Sequence, residues 1–285
     1  MQHTLLAGPQ PQGYRSGQIM LAKIRNLVAR PAKKQRTPKL PPGQRVYAVG
    51  DIHGRLDLFE SLIDAIEHDD AGRGTANSEV ILLGDLIDRG PDSAGVLDRA
   101  RAWSRERRVE FIKGNHEEMM VVAASKLDAF CSFLKFGGRE TLVSYGIDPE
   151  FVKQADAEQL QQAMLEAIPQ DHFDFVDSFE KMVRVGDYLF VHAGIRPDTP
   201  LDHQSGRDCR WIREPFLTHP GDFGAMVVHG HTITEEPEVR LNRIGIDTGA
   251  YVHGTLTAIG LEGEQRWFIQ ARDEGQGAIN IQIAA

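Results

Sequence analysis

Five short stretches of the chain hold the side chains best suited to binding metal and moving a proton. They read Gly50-Asp51-Ile52-His53-Gly54, Gly84-Asp85-Leu86-Ile87-Asp88-Arg89-Gly90, Gly114-Asn115-His116-Glu117, Val191-His192-Ala193-Gly194 and His229-Gly230-His231-Thr232. Carboxylate, imidazole and amide oxygen together suit Mn, Fe or Zn. With no cysteine among them, the set does not read as a purely structural zinc site. Two divalent cations about 3.5–4 Å apart need one carboxylate that reaches both. The glycines let the backbone turn sharply, so that each polar side chain points back to a common point. Each residue taken alone has an ordinary role: Asp51 could cap a helix and His192 could be a satisfied interior histidine. Structural needs do not, however, place Asp, Asn and several His at successive strand ends in this order.

The elements around these stretches follow from hydrophobic pattern. The apolar run 46–49 predicts a short strand ending at Gly50-Asp51, and Leu58, Phe59, Leu62, Ile63 and Ile66 recur at helical spacing. A second strand over 80–83 ends at Gly84-Asp85, a helix follows over 93–103, and a third strand over 109–112 ends at Gly114-Asn115-His116. This βαβαβ order predicts a parallel sheet with its polar loops at the C-terminal ends of the strands. Asp85 then stands on the central strand of the three, where its carboxylate can reach two ions. Residues 117–180 read as mostly helical, with Leu160, Met164, Leu165 and Ile168 as one apolar stripe. From Met182 onward the pattern turns to strands, at 182–185, 188–191, 226–228, 239–241, 244–246, 256–259 and 267–269.

Charge divides the chain. Its 285 residues carry 32 Lys+Arg and 41 Asp+Glu, a net of −9, yet residues 1–45 hold nine basic side chains and no acidic one. The remainder is therefore an acidic body with a net charge of −18. That body argues against a broad nucleic-acid surface. The arm has one aromatic residue, Tyr14, which does not support base stacking. Within the arm, residues 16–30 read as a basic amphipathic helix suited to docking a partner or, weakly, an anionic membrane. Residues 31–45 read as an extended Pro-rich linker. Met20 is a plausible start, which would make 1–19 an upstream extension. No window is apolar enough for a membrane-spanning helix or a secretory signal. The two cysteines, Cys131 and Cys209, form no disulfide framework, which fits a reducing, cytoplasmic compartment. The expected organisation is an arm over 1–44, a catalytic domain over 45–271 with a helical insert over 117–180, and a C-terminal tail over 272–285.

Across residues 45–271 these loops resemble the calcineurin-like metallophosphoesterase superfamily, in its bacterial-type serine/threonine protein phosphatase branch. The resemblance implies an α/β fold: a four-layer α/β/β/α sandwich with a mixed central β-sandwich. It also implies two metals, with Asp51, His53 and Asp85 on one and Asp85, Asn115, His192 and His231 on the other. Two dications against two carboxylates leave about +2, matched to a phosphate dianion. By the same resemblance a hydroxide bridging the metals attacks phosphorus, His116 protonates the leaving oxygen, and Asp88 orients His116. Arg89 grips two phosphate oxygens, Asn115 also faces substrate, and a second arginine completes the clamp. Arg213, in the Trp-Ile-Arg-Glu-Pro stretch, is the first choice for that arginine and Arg196 the second. His229 is expected beside the centre rather than on a metal. Asp247 is expected to shape a loop, with Tyr251 near the pocket. The implied activity is hydrolysis of phosphomonoesters, foremost phosphoserine or phosphothreonine on proteins. Cleavage of symmetric dinucleoside polyphosphates is the alternative, and a non-catalytic scaffold a third reading. The Thr232-to-Glu235 stretch favours the protein phosphatase. Manganese is the expected metal, and the oligomeric state is open.

Overall fold

The run Gln44–Val49 ends in the apolar stretch Val46-Tyr47-Ala48-Val49 and loses almost all its surface to neighbours on both sides, so it forms the first strand of a sheet covered on both faces. A computed structural model describes residues 37–284, so the arm's amphipathic segment 16–30 and most of its linker lie outside the described residues. The elements are β1 (Gln44–Val49), α1 (Leu56–Gly72), β2 (Asn77–Leu82), α2 (Ser93–Glu106), β3 (Val109–Phe111), α3 (Asn115–Ala123), α4 (Leu127–Phe133), a π-helical turn (Leu134–Gly138), α5 (Arg139–Ser144), α6 (Pro149–Gln154), α7 (Ala157–Ala167) and α8 (Gln170–Asp177). They continue with β4 (Met182–Val185), β5 (Tyr188–Val191), α9 (Gly206–Trp211), β6 (Met226–His229), β7 (Glu238–Val239), β8 (Arg243–Gly245), α10 (Ala250–His253), β9 (Thr255–Glu262), β10 (Gln265–Asp273) and β11 (Ile279–Ala284).

Two mixed sheets result, in the orders β11-β10-β9-β1-β2-β3 and β4-β5-β6-β8-β7. In the first, β1, β2 and β3 run parallel, as the βαβαβ pattern predicts, while β9 pairs antiparallel to β1. In the second, β5, β6 and β8 run parallel. The sheets face each other through Val46, Ala48, Ile81, Leu83, Phe190, Val228, Ile244 and Ile259. The outer face of the first sheet packs Tyr47, Val49, Val80 and Leu82 against α1, α2 and the insert helices. The outer face of the second packs Leu189, Val191 and Val227 against Cys209, Ile212 and Phe216. Alternate residues of one strand thus feed two cores, which is the four-layer α/β/β/α arrangement.

Three details differ from the sequence reading. Leu160, Met164 and Ile168 are buried on α7 or just after it, but Leu165 is 45% exposed. At about 100° per residue it stands roughly 100° from Met164 and roughly 140° from Leu160, outside the buried face. Residues 279–284, expected within a tail, form β11 and pair antiparallel along β10. The folded body also begins earlier than residue 45: Leu40 is 2% exposed in the inter-sheet core, and its N–H donates to the Gly263 carbonyl at 2.9 Å. A Leu40→Ala substitution is therefore expected to cost about 2–5 kcal/mol in denaturant unfolding, as for a buried leucine.

Candidate metal centre

The polar stretches all leave C-terminal ends of strands: β1, β2 and β3 of one sheet, β5 and β6 of the other. Side chains from both sheets therefore converge at one end of the sandwich. Convergence requires unusual backbone. Among the described residues seven non-glycine residues have positive φ, and five of them are His53, Asp85, Asp88, Arg89 and His231. Such conformations cost of order 1–3 kcal/mol each and persist only where the surroundings enforce them, as at sites where side-chain direction matters. Gly84 (φ 93°) shows the crowding: a Cβ there would lie 2.5 Å from the Gly114 nitrogen, so the second and third loops touch through backbone. Glu117, which the sequence reading quoted without a role, ties the same loops. It is wholly buried, and its carboxylate accepts the N–H groups of Asp85, Leu86 and Gly114 at 2.8–2.9 Å. The start of α3 within the third loop places Glu117 at that helix's first turn.

Asp51 sits four residues before its helix: the α1 N-cap position is Arg55, so Asp51 is not a cap. Its two oxygens accept the His231 N–H at 3.2 and 3.0 Å. Burial, together with Asp247 and Asp85 nearby, pushes the Asp51 carboxyl well above the usual range. Burial likewise raises the Asp85 carboxyl, and lifts Asp247 to about 6. Ligand atoms of His53, Asp85 and His116, and those of Asp85, His192 and His231, lie within 4.8 Å of one another, so Asp85 is shared by both groups. Its Oδ1 is 3.4 Å from His192 Nε2, and its Oδ2 is 3.6 Å from His53 Nε2.

The histidine protons point away from this cluster. His53 Nδ1 donates to the Ile87 carbonyl and His192 Nδ1 to the Leu83 carbonyl, each at 2.8 Å. In a neutral imidazole the Nε2 lone pair then faces inward. Asn115 Oδ1 lies 2.9 Å from His192 Nε2, so two acceptors face each other. His116 Nε2 and His231 Nε2 are buried without a partner. Burial depresses His53 strongly, His192 to about 4 and His231 to about 2, so the rings are neutral. Raised buried carboxyls, unprotonated imidazoles and inward-facing acceptors form one pattern, a donor set suited to cations. The residues present fit a pair of divalent metals.

Beside this cluster, His116 Nδ1 and Asp88 Oδ2 share a hydrogen bond of 2.6 Å, with both side chains fully buried. A cavity of about 320 Å³ opens over the cluster, lined by Asp85, Arg89, Asn115, Arg213 and His231 together with Phe136, Trp211 and Tyr251. Arg89 Nη1 donates to His53 Nε2 at 3.0 Å, and its guanidinium lies 4.8 Å from the Tyr251 ring centre. Arg213 reaches to 3.5 Å from the His231 carbonyl. Arg196 does not join them. Its side chain is half-exposed and its guanidinium forms a two-point pair with Asp208, at 3.1 and 2.7 Å. His229 is buried beside the centre, with Nδ1 bonded to the Gly230 carbonyl and its ring against Phe216. Phe136 and Trp211 escaped the sequence reading. Trp211 stood in the motif quoted for Arg213, whereas nothing in the sequence around Phe136 marked it.

The same chain resembles known proteins. It is 26% identical over 237 residues to the asymmetrical bis(5'-nucleosyl)-tetraphosphatase PrpE of Anoxybacillus flavithermus, covering 74% of this chain and 88% of that one. A solved structure provisionally assigned as a diadenosine tetraphosphatase superposes with a TM-score of 0.55 at 19% identity, covering 87% of this chain and 99% of that one. A cold-active protein tyrosine phosphatase gives 0.50 at 18% identity, with 85% and 81% covered. The profile of the calcineurin-like phosphoesterases matches residues 44–254, which run from β1 through the Asp247-to-Tyr251 loop and include every polar stretch above. With that match spanning most of the folded body, and a two-sheet fold carrying a donor set for two metals, the chain belongs to the calcineurin-like phosphoesterase family.

Proposed function

We propose that the protein is a two-metal phosphohydrolase that cleaves dinucleoside polyphosphates, and that Phe136, Trp211 and Tyr251 receive a base while Arg89 and Arg213 receive phosphate. The carrying observation is the cavity: aromatic side chains and two arginines share one mouth over the donor cluster. Phe136 is 50% exposed and Tyr251 36%, so both keep aromatic surface open to a base. Relatives named as bis(5'-nucleosyl)-tetraphosphatases support the same substrate class.

In this reading Asp51, His53 and Asp85 hold one cation, and Asp85, Asn115, His192 and His231 the other, with Mn, Fe or Zn suited to the donors. Cations bound there supply Lewis-acid polarisation of phosphoryl oxygens and a water of lowered pKa. The protein's own groups do the rest. Arg89 presents a planar fork to phosphate oxygens, held at its angle by Tyr251. His116 keeps one ring nitrogen on Asp88 and turns the buried Nε2 toward the centre, where it can give a proton to the leaving oxygen. Hydrolysis moves a water oxygen onto phosphorus and that proton onto the leaving group.

A second reading, phosphoserine or phosphothreonine on proteins, draws on the Thr232-to-Glu235 stretch. Thr232 lines the cavity, whereas Glu235 is exposed and outside the lining. A comparison on one Mn²⁺-loaded preparation separates the two. Diadenosine tetraphosphate is expected to be cleaved with the higher kcat/KM, and the products report the cut: ATP with AMP for asymmetric cleavage, two ADP for symmetric. Phe136→Ala is expected to raise KM for the dinucleotide about 5- to 150-fold, the worth of one stacked base at about 1–3 kcal/mol. KM for a phosphoserine peptide should stay within about threefold. A higher kcat/KM on the peptide would reverse the order of the two readings.

A further inference from the structure

The helical insert reaches the chemistry through two contacts that no polar motif announces. Thr141, on α5, is fully buried and its hydroxyl donates to Asp88 Oδ1 at 2.6 Å. Thr141 Oγ1 also accepts the Asp88 N–H at 3.1 Å and lies 2.9 Å from Ser93 Oγ, which itself accepts the Asp88 N–H at 2.9 Å. A hydroxyl has one proton and two lone pairs. With Thr141's proton on Asp88, Ser93 must donate to Thr141, and every donor in this buried network has an acceptor. Asp88's other oxygen holds His116 Nδ1. Next along the chain, the Arg89 N–H donates to the Gly137 carbonyl in the π-helical turn, at 3.1 Å. Gly137 itself has φ 110°, and a Cβ there would lie 2.6 Å from Arg89 Cγ. Asp88 and Arg89 both hold positive φ, at 73° and 71°, a conformation two consecutive non-glycine residues keep only when surroundings enforce it. Here the insert supplies Thr141 and Gly137 as enforcing groups, alongside Ser93 of α2.

We propose that Thr141 is the positioning residue of the proton-donating pair: by fixing the Asp88 carboxylate it sets the orientation of His116, and with Gly137 it makes the insert a clamp on Asp88 and Arg89. The proposal rests on the reading of His116 as the proton donor. It is tested on the metal-loaded full chain with phenyl phosphate, whose phenolate leaves only slowly without a proton. Thr141→Val is expected to lower kcat about 10- to 100-fold, the usual loss when a supporting hydrogen bond to an active group is removed, with KM changed less than about threefold and bound metal unchanged. Thr141→Ser restores the hydroxyl and should recover most of that kcat. Thr141→Val added to Asp88→Asn should lower kcat no further than Asp88→Asn alone, which a loss of general stability would not produce. Should Thr141→Val fail to fold, Ser93→Ala, which removes the hydroxyl that donates to Thr141, carries the same test, with a loss of about 3- to 10-fold expected in kcat and none in metal content. Wild-type kcat in Thr141→Val, or in Ser93→Ala where that variant stands in for it, overturns the proposal. So does a Thr141→Ser as impaired as Thr141→Val. His116→Asn serves as the reference. If it keeps wild-type kcat, the proton-donor reading fails. If it loses kcat while Thr141→Val does not, the clamp alone fails.

Discussion

Asp85→Asn is expected to lower kcat on any phosphate substrate by about 10³-fold or more, because it removes the carboxylate that belongs to both ligand groups. The substitution keeps shape and one oxygen but takes a negative charge from a pocket meant to hold two dications. Several kcal/mol of charge stabilisation is at stake, and each 1.36 kcal/mol is tenfold in rate. The fold should not suffer. Burial already raises the Asp85 carboxyl, so the charged form is disfavoured in the metal-free protein and a neutral amide relieves that cost. Metal-free Asp85→Asn should therefore unfold at the wild-type temperature or slightly above it. The stabilisation that Mn²⁺ gives the wild type, about 2.7 kcal/mol at a hundredfold excess over Kd and read as a rise in Tm, should largely disappear. Full turnover with retained Mn²⁺-dependent stabilisation would remove Asp85 from the metal set. A lowered metal-free Tm would show instead that its hydrogen bond from the His116 N–H, at 3.1 Å, is structural.

His116→Asn should behave differently, with metal content intact and kcat reduced about 10²- to 10⁴-fold where the leaving group needs a proton. The imidazole has one nitrogen on Asp88 and the other buried without a protein partner, 3.9 Å from Asp85 Oδ2. Burial lowers the imidazole's proton affinity and raises that of Asp88, so both are held out of water as a closely bonded pair. The loss should scale with leaving-group basicity. It should be largest for a phosphoserine alkoxide, intermediate for phenyl phosphate, and smallest for a polyphosphate, whose departing phosphate is already weakly basic. A loss of equal size on all three would assign His116 to the metals rather than to the leaving group. That alternative is concrete, because its ring atoms lie within ligand distance of His53 and Asp85.

Much of this was legible because it is local. A short apolar run leading into Gly-Asp or Gly-Asn marks a strand end with a side chain to present, as after β1, β2 and β3, while β5 and β6 lead instead to His192 and to Gly230-His231. The edge strand β11 was hidden because the turn 274–278 before it is polar and glycine-rich, and Ile279, Ile281 and Ile283 alternate over too few residues to announce a strand. Two arginines were candidates for the second half of the phosphate clamp, Arg213 first on its Trp-Ile-Arg-Glu-Pro stretch and Arg196 second. Arg196 is drawn off by Asp208, twelve residues on, which α9 brings to the surface beside it. Arg213 makes no carboxylate pair among the described residues and lines the cavity.

What the sequence determined by itself is the chemistry available: which donors exist, their order, and the glycines that let them turn inward. Those are properties of neighbours within a few residues, where propensity and sterics suffice. The tertiary structure alone decided which groups act together. Thr141 reaches Asp88 across 53 residues, and His192 bonds to Leu83 across 109. Such pairs form because two sheets and an insert bury apolar faces against one another, and burial is indifferent to sequence distance. The packing that closes the cores also strips water from Asp51, Asp85 and Asp88, and so raises the proton affinity of otherwise ordinary carboxylates.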